Sequence, residues 1–143
     1  MASNALPNGT SKATESVELA FPLPNALQTK IHLHVTSQSK SVLVFGTTVD
    51  ATMPASSLAP LGSFVCAVPD LRSSSEPPVS TALYIQPNTI DFATRLAKAL
   101  ARKAHRPCYV GWSGTFTGMG RGGDVNEEMT AFRTVFENII NLL

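Results

Sequence analysis

Ser113 is the residue whose surroundings come nearest to a catalytic pattern. It lies between glycines in the segment PCYVGWSGTFTGMGRGGD at 107–124. A nucleophile elbow requires glycines two residues before and two residues after the serine, because its tight turn leaves no room for side chains. Gly111 meets this requirement, but position 115 is threonine. All three histidines precede the serine, whereas elbow hydrolases place theirs after it. We therefore predict no catalytic residue.

The glycine-rich part of the same segment could bind a phosphate. GMGRGG at 118–123 lacks the GxxxxGK[ST] arrangement, and it does not lie between a first strand and a helix as a dinucleotide fingerprint does. Backbone amides together with Arg121 could still hold an anion, although Asp124 would compete for the terminus of the following helix. A plain connecting loop is the favoured interpretation. A small regulatory or anion-binding module using the Gly-rich loop 114–123 is the alternative function.

The histidines and cysteines suggest metal binding only weakly. His32 and His34 have the spacing of two residues on one side of a strand, and His105 could supply a third nitrogen. The sequence offers no carboxylate or cysteine that completes the set. Cys66 and Cys108 do not form a CxxC unit, and we interpret both as buried thiols. We therefore predict no metal and no cofactor.

Basic residues follow one side of a predicted helix. No acidic residue lies between Asp91 and Asp124, although the formal net charge of the chain is only +1. An ordinary solvated helix face is one explanation, and a surface for an acidic partner is the other. Nucleic-acid binding would call for stacking aromatics or a wider basic field. We predict that a partner binds on or near three of these residues, Arg95, Lys98 and Arg102, while Arg106 continues the same side.

Alternation of apolar and polar residues predicts five or six strands. The polar turn SQSK makes 30–47 a candidate hairpin. The predicted strands are VELAF at 17–21, KIHLHVT at 30–36, SVLVFGT at 41–47, GSFVCAVPD at 62–70, STALYIQ at 80–86 and CYVGW at 108–112.

Two helices complete the pattern. The first begins near Asn88 or Thr89, either of which could cap its amides, and it ends before Pro107. The second begins at Asp124, with Glu127 completing a capping box, and continues to the C-terminus. Since no regular strand–helix repeat is present, we predict an α+β fold. The apolar stripe expected on the second helix consists of Val125, Met129, Phe132, Phe136, Ile139, Ile140 and Leu143.

Length and composition favour one domain. The 143 residues are 43% hydrophobic, which suits a single core. Residues 1–16 are polar without an apolar period, so we predict a disordered tail before a domain at 17–143. The tail lacks the apolar run of a signal peptide, and no segment approaches the roughly 20 apolar residues of a membrane span. We expect a soluble protein of the cytoplasm, with the nucleus as a second location and with no membrane partner.

The segment STALYIQPNTIDFATRLAKALARKAHRPCYVGWS resembles the proteasome assembly chaperone 4 family. That family has a Ser-Thr-x-Leu strand, a short loop, a helix with a Leu-Ala-Arg-Lys-like ending and an apolar strand. The hairpin IHLHVTSQSKSVLVFGT and EEM at 127–129 are also similar, so the resemblance covers roughly residues 20–140. The matching positions are Ser80, Thr81, Leu83, Leu96, Ala97, Leu100 to Lys103, Tyr109 and Val110.

The resemblance implies a chaperone that is not an enzyme. It would form a heterodimer with a proteasome assembly chaperone 3-like protein and promote formation of the 20S α-ring by contacting an α subunit. The implied fold is a compact, mostly antiparallel β structure flanked by helices, in agreement with the pattern of strands and helices. The polar N-terminal extension and the loop GTFTGMGRGGD depart from the family pattern, so contacts made through these regions do not carry over.

Overall fold

A computed structural model of the chain describes residues 14–23, 26–52, 58–73, 75–116 and 125–143. In these residues a single six-stranded sheet carries two helices, which confirms the predicted α+β class. The strands follow the spatial order β1-β2-β3-β6-β4-β5. Their bounds are β1 Glu15–Leu23, β2 Ala26–Ser37, β3 Val42–Asp50, β4 Ser63–Val68, β5 Val79–Tyr84 and β6 Cys108–Trp112; the helices are α1 Ile90–Ala104 and α2 Val125–Ile140.

The paired strands of the sheet are antiparallel, except for the parallel pair β3 and β6. Strands β2 and β3 form the predicted hairpin, closed where the Gln38 amide donates to the Ser41 carbonyl at 2.9 Å. Strand β1 adds to β2, and β4 pairs with both β5 and β6. Strand β6 returns after α1 and inserts parallel to β3. The first strand begins at Glu15, two residues inside the predicted tail, and residues 1–13 lie outside the described chain.

One face of the sheet forms the core. Val35, Val44, Val110 and Val65 are partners across β2, β3, β6 and β4, and all four are buried. Helix α1 covers the β4, β5 and β6 part of this face. The ring of Phe92 stacks on Trp112 with 4.3 Å between centroids. Gly46 is required beside them, because a Cβ there would collide with the Trp112 ring.

Helix α1 has the predicted bounds but not the predicted cap. Its buried residues are Phe92, Ala93, Leu96, Ala97, Leu100 and Ala101. Thr89 occupies the N-cap position, yet its hydroxyl forms no capping bond. It instead accepts the Ser63 amide at 3.1 Å, because this buried amide at the start of β4 has to be satisfied. At the other end His105 adopts the left-handed conformation, with φ of 55°.

The apolar stripe predicted for α2 is displaced. Ala131, Val135 and Ile139 are buried, whereas Met129 is 57% exposed and Leu143 is also exposed. Phe132, Phe136 and Ile140 flank the buried line and contact the core, as predicted. The prediction placed large apolar side chains in the buried stripe, but the small side chain of Ala131 is buried instead of Met129. The predicted cap Asp124 and the side chain of Val125 lie outside the described residues.

Candidate partner-binding site

The face of the sheet opposite the two helices is partly apolar, and no helix of the described residues covers it. We call this surface the open face and define it by Leu43, Phe45, Phe64, Cys66, Tyr109 and the histidines of β2. These positions alternate with the buried core positions along each strand, so they point away from the helices. Phe45 remains 37% exposed. Aromatic side chains of this kind mark protein–protein contacts when they stay open to water.

The aromatic side chains of the open face form a continuous row. The rings of Phe45 and Phe64 stack at 5.9 Å between centroids, and Phe64 and Tyr109 stack at 6.2 Å. Gly111 lies between Phe45 and Phe64 in register. Because it has no side chain, the ring of Phe45 can lie over its backbone. The row is therefore held by three strands and is preformed.

A depression of about 690 Å³ lies at one end of this row. Phe45, Leu61 and Pro60 supply its apolar lining, and Glu18, His32 and Thr47 line it with polar atoms. Leu61 is exposed as well, and the neighbouring Leu58 is almost fully exposed. The combination of a preformed apolar hollow and a polar margin suits an inserted side chain of another protein.

His32 and His34 lie on the same side of β2, as their spacing predicts, and both are exposed. His34 bonds with the Ser16 hydroxyl at 2.6 Å, and its Nδ1 lies 3.4 Å from a Glu18 oxygen. The histidines therefore contribute to the polar margin of the open face. Within the described ranges, no group of three or more His, Cys, Asp or Glu side chains could hold a metal ion.

Ser113 follows β6 and is partly buried. Its hydroxyl donates to Thr47 Oγ1 at 2.8 Å, and its amide donates to the Gly46 carbonyl at 3.0 Å. These bonds extend the pairing of β6 with β3 beyond the last strand residue. The serine thus has a structural explanation.

The two cysteines differ in burial, so the prediction of two buried thiols is correct only for Cys108. Cys108 lies on the core face, where burial raises its pKa from 9.0 to about 12. Cys66 is half-buried on the open face, directly across from Tyr109. The neighbouring Cys66 raises the pKa of Tyr109, because two anions side by side would repel.

The predicted basic residues of α1 have different surroundings. The Arg95 guanidinium forms an ion pair with Glu128 of α2, and it lies 5.6 Å from the centre of the Phe132 ring. Lys98 is half-buried, and Arg102 is exposed. Arg106 is turned to the β2–β3 connection, where it donates to the Gln38 carbonyl at 2.8 Å. Lys98 and Arg102 are thus the members of the predicted surface that best suit a partner.

The Gly-rich loop 114–123 is described only at its beginning. The Trp112 indole donates to the Gly114 carbonyl at 2.9 Å, which fixes the first residue of the loop to the core. Residues 117–124 lie outside the described chain, so the anion-binding module stays a prediction. Residues 53–57 also lie outside it.

The open face itself was not predicted from the sequence. Its strands are apolar at nearly every position, as in VLVF at 42–45 and FVCAV at 64–68, so the alternation does not distinguish a buried side from an open one. One signal was available. Phe45, Phe64 and Tyr109 occupy the positions between the core valines, where a solvated sheet would carry polar residues.

One comparison with known proteins identifies a family, and another shows a common fold. The family model for proteasome assembly chaperone 4 matches residues 30–113, more than half of the chain. A search of curated proteins found no match. Among solved structures, a chain in the crystal structure of a chaperone complex for yeast 20S proteasome assembly is similar, with a TM-score of 0.60 and 15% identity. The alignment covers 90% of this chain and 94% of that chain, and at this identity it shows a common fold.

Proposed function

Because the chain belongs to the proteasome assembly chaperone 4 family, we propose that it forms a heterodimer with a proteasome assembly chaperone 3-like companion and promotes formation of the 20S α-ring. The family role is assembly, which makes and breaks no covalent bond, and the chain is accordingly not an enzyme. The proposed function is to change how readily the ring subunits associate. Shape and charge of the exterior are sufficient for this work.

We assign the companion to the open face. The support is the aromatic row of Phe45, Phe64 and Tyr109, which presents apolar area to water on a surface that neither described helix covers. Burying such rings against a second protein releases water and stabilises the complex. The similar yeast chain was solved as part of a chaperone complex, which makes a second chaperone the natural occupant. The single observation that carries the assignment is the preformed stack over Gly111.

We assign the 20S α subunit to the other side of the molecule. Lys98 and Arg102 project from α1, which lies on the core side of the sheet and therefore away from the open face. Two sites on opposite sides would let the chain hold its companion and a ring subunit together. Exposed charges such as those of Lys98 and Arg102 mainly accelerate association and select among partners. Arg95 belongs to the same helix, but its ion pair with Glu128 makes it also a structural residue.

A cellular location follows from the same proposal. We propose the cytoplasm, with the nucleus as a second location, as the place where ring assembly occurs. The two cysteines support a reducing compartment, since both are free thiols and lie on opposite faces of the sheet. A fluorescent fusion of the full chain would show cytoplasmic and nuclear signal. Accumulation inside the secretory pathway would contradict the proposed location.

The proposed function is tested with purified proteins. The full chain is mixed with the recombinant companion chaperone, and the resulting complex is mixed with each recombinant 20S α subunit in turn. The molar mass of each complex is measured by light scattering. We expect a one-to-one heterodimer, and we expect the heterodimer to retain at least one α subunit. A chain that binds neither the companion nor any α subunit would contradict the proposed function.

The charge assignment is tested with Lys98→Glu combined with Arg102→Glu. We expect weaker binding of the α subunit, a flatter dependence of affinity on salt, and unchanged binding of the companion. The matched control is Lys40→Glu combined with Arg133→Glu, which makes the same change in charge at two exposed positions elsewhere. Equal effects of the two double variants would show that net charge, and not this surface, matters.

A further inference from the structure

Strand β5 is an edge of the sheet that lacks a covering element in the described chain. It pairs with β4 on one side only. Its apolar residues are open to water, with Val79 71%, Leu83 54% and Tyr84 51% exposed. An edge strand presents a row of backbone amides and carbonyls that lack strand partners. Such a strand can accept another extended chain through main-chain hydrogen bonds.

The opposite edge shows how this protein protects a strand. Strand β1 carries Glu15 and Glu18, both exposed, and it contains Pro22. Charges and proline are the features that prevent one edge from pairing with another. In contrast, the segment PPVSTALYIQPNTI at 77–90 contains no charged residue, and its prolines lie outside β5. The two edges therefore differ in the property that decides whether a strand can be added.

The β5 edge is continuous with the basic end of α1. A groove of about 430 Å³ joins Pro78, the residue before β5, to Arg102 and Lys103, and Asp70 and Glu76 line it as well. Helix α1 also packs directly against β5. A segment lying along β5 would therefore end beside the residues that the proposed function assigns to the ring subunit. The start of β5 and these basic residues are therefore neighbours, whereas the side chain of Val79, opposite Val68, lies on the open-face side of the sheet.

We propose that the β5 edge, Val79–Tyr84, binds an extended segment of the 20S α subunit by adding it to the sheet as a seventh strand. This inference rests on the proposed function, since it names how the same ring subunit is held. The added segment is uncharged at its centre and apolar at alternate positions, because it lies against exposed Val79 and Leu83. Main-chain hydrogen bonds supply the affinity.

Hydrogen exchange of the wild-type heterodimer tests this inference directly. The amides of β5 are followed by mass spectrometry before and after addition of the recombinant α subunit that binds. We expect exchange in the β5 peptide to slow by about ten-fold or more, since its outward amides gain acceptors. Exchange in β1 should stay as it was. Binding of the α subunit without added protection in β5 would overturn the inference and leave the proposed function standing.

A pair of variants tests the same edge by charge. Ser80→Lys combined with Ala82→Lys puts two charges on the side of the edge that points away from the open face, and we expect binding of the α subunit to weaken by about ten-fold or more while the companion binds as before. Met129→Lys combined with Thr130→Lys is the control, since both residues are exposed on α2 and neither lines the groove.

Each other outcome of the edge variants is decisive. Loss of companion binding alone would assign the edge to the companion and overturn the inference. Loss of self-association alone would assign it to a second copy of the chain, with the same consequence. Unchanged binding of every protein would also overturn it. A wild-type chain that binds no α subunit would contradict the inference and the α-ring part of the proposed function together.

Discussion

The ring of Phe45 lies over Gly111, its cross-strand partner on β6. A Cβ atom added to Gly111 would come within 2.6 Å of Phe45 Cδ1, which is closer than real Cβ contacts. The empty space at Gly111 is therefore what lets Phe45 reach across β6 and stack on Phe64. This relationship makes the aromatic row a fixed feature of the open face.

Gly111→Ala should disturb that row. We expect a loss of about 1 kcal/mol in the free energy of unfolding, at the low end for overpacking, because the partly exposed ring can turn away. Urea denaturation measures the change. In a Phe45→Ala background the same substitution should cost far less, since the obstructing ring is gone. An equal cost in both backgrounds would show that Phe45 does not cause the crowding.

Thr89 and Ser63 form a buried polar contact that connects the start of α1 to the start of β4. Thr89→Val removes the acceptor of the Ser63 amide, and leaving such a group unsatisfied costs about 1 to 3 kcal/mol. Thr89→Ser keeps the hydroxyl and should recover most of the stability. Thr130→Val, on the exposed side of α2, should change stability by less than about 0.5 kcal/mol. Thermal unfolding of the three variants checks the order.

Cys108 should make the free energy of unfolding fall as pH rises through the alkaline range. Its folded pKa of about 12 exceeds the ordinary value of 9.0, because burial disfavours the thiolate. The contribution is present below the ordinary value and is lost as pH rises from there toward the folded pKa, since the unfolded chain loses its proton first. Urea midpoints between about pH 7 and pH 10 should fall more steeply for wild type than for Cys108→Ala. Parallel curves would contradict this account.

The contact between Arg95 and Glu128 joins the two helices. Because both side chains are partly exposed, we expect a coupling of only about 0.5 kcal/mol in a double-mutant cycle with alanine. Arg95→Ala should cost more than Glu128→Ala, since the arginine also lies against the Phe132 ring. Denaturant unfolding of both single variants and the double variant gives the coupling. A coupling near zero would show that the pair does not hold α2 in place.

Local sequence patterns predicted the strands and helices well. The strand order and the buried side of α2 depend on long-range packing, which local patterns do not show. The alternation in KIHLHVT was sufficient to predict β2, and Pro107 was sufficient to predict where α1 ends. The parallel insertion of β6 beside β3 depends on contacts across the whole chain. For α2, packing placed Ala131 in the buried line, whereas sequence alone favoured Met129.

The candidate site was predicted less completely than the fold. Net charge along α1 pointed to Lys98 and Arg102, but the sequence could not show that Arg95 pairs with Glu128, thirty-three positions away. The open face escaped prediction because strands such as VLVF are apolar on both sides. Only the register of three strands brings Phe45, Gly111 and Phe64 together.

The central claim is that the open face binds the companion chaperone. Isothermal titration of the recombinant companion into the full chain with Phe45→Glu tests it most directly, with Leu71→Glu as the control at an exposed residue elsewhere. We predict that Phe45→Glu weakens the affinity by about a hundred-fold, because a charge replaces a central aromatic contact, and that Leu71→Glu binds like wild type. Wild-type affinity in a folded Phe45→Glu chain would contradict the account.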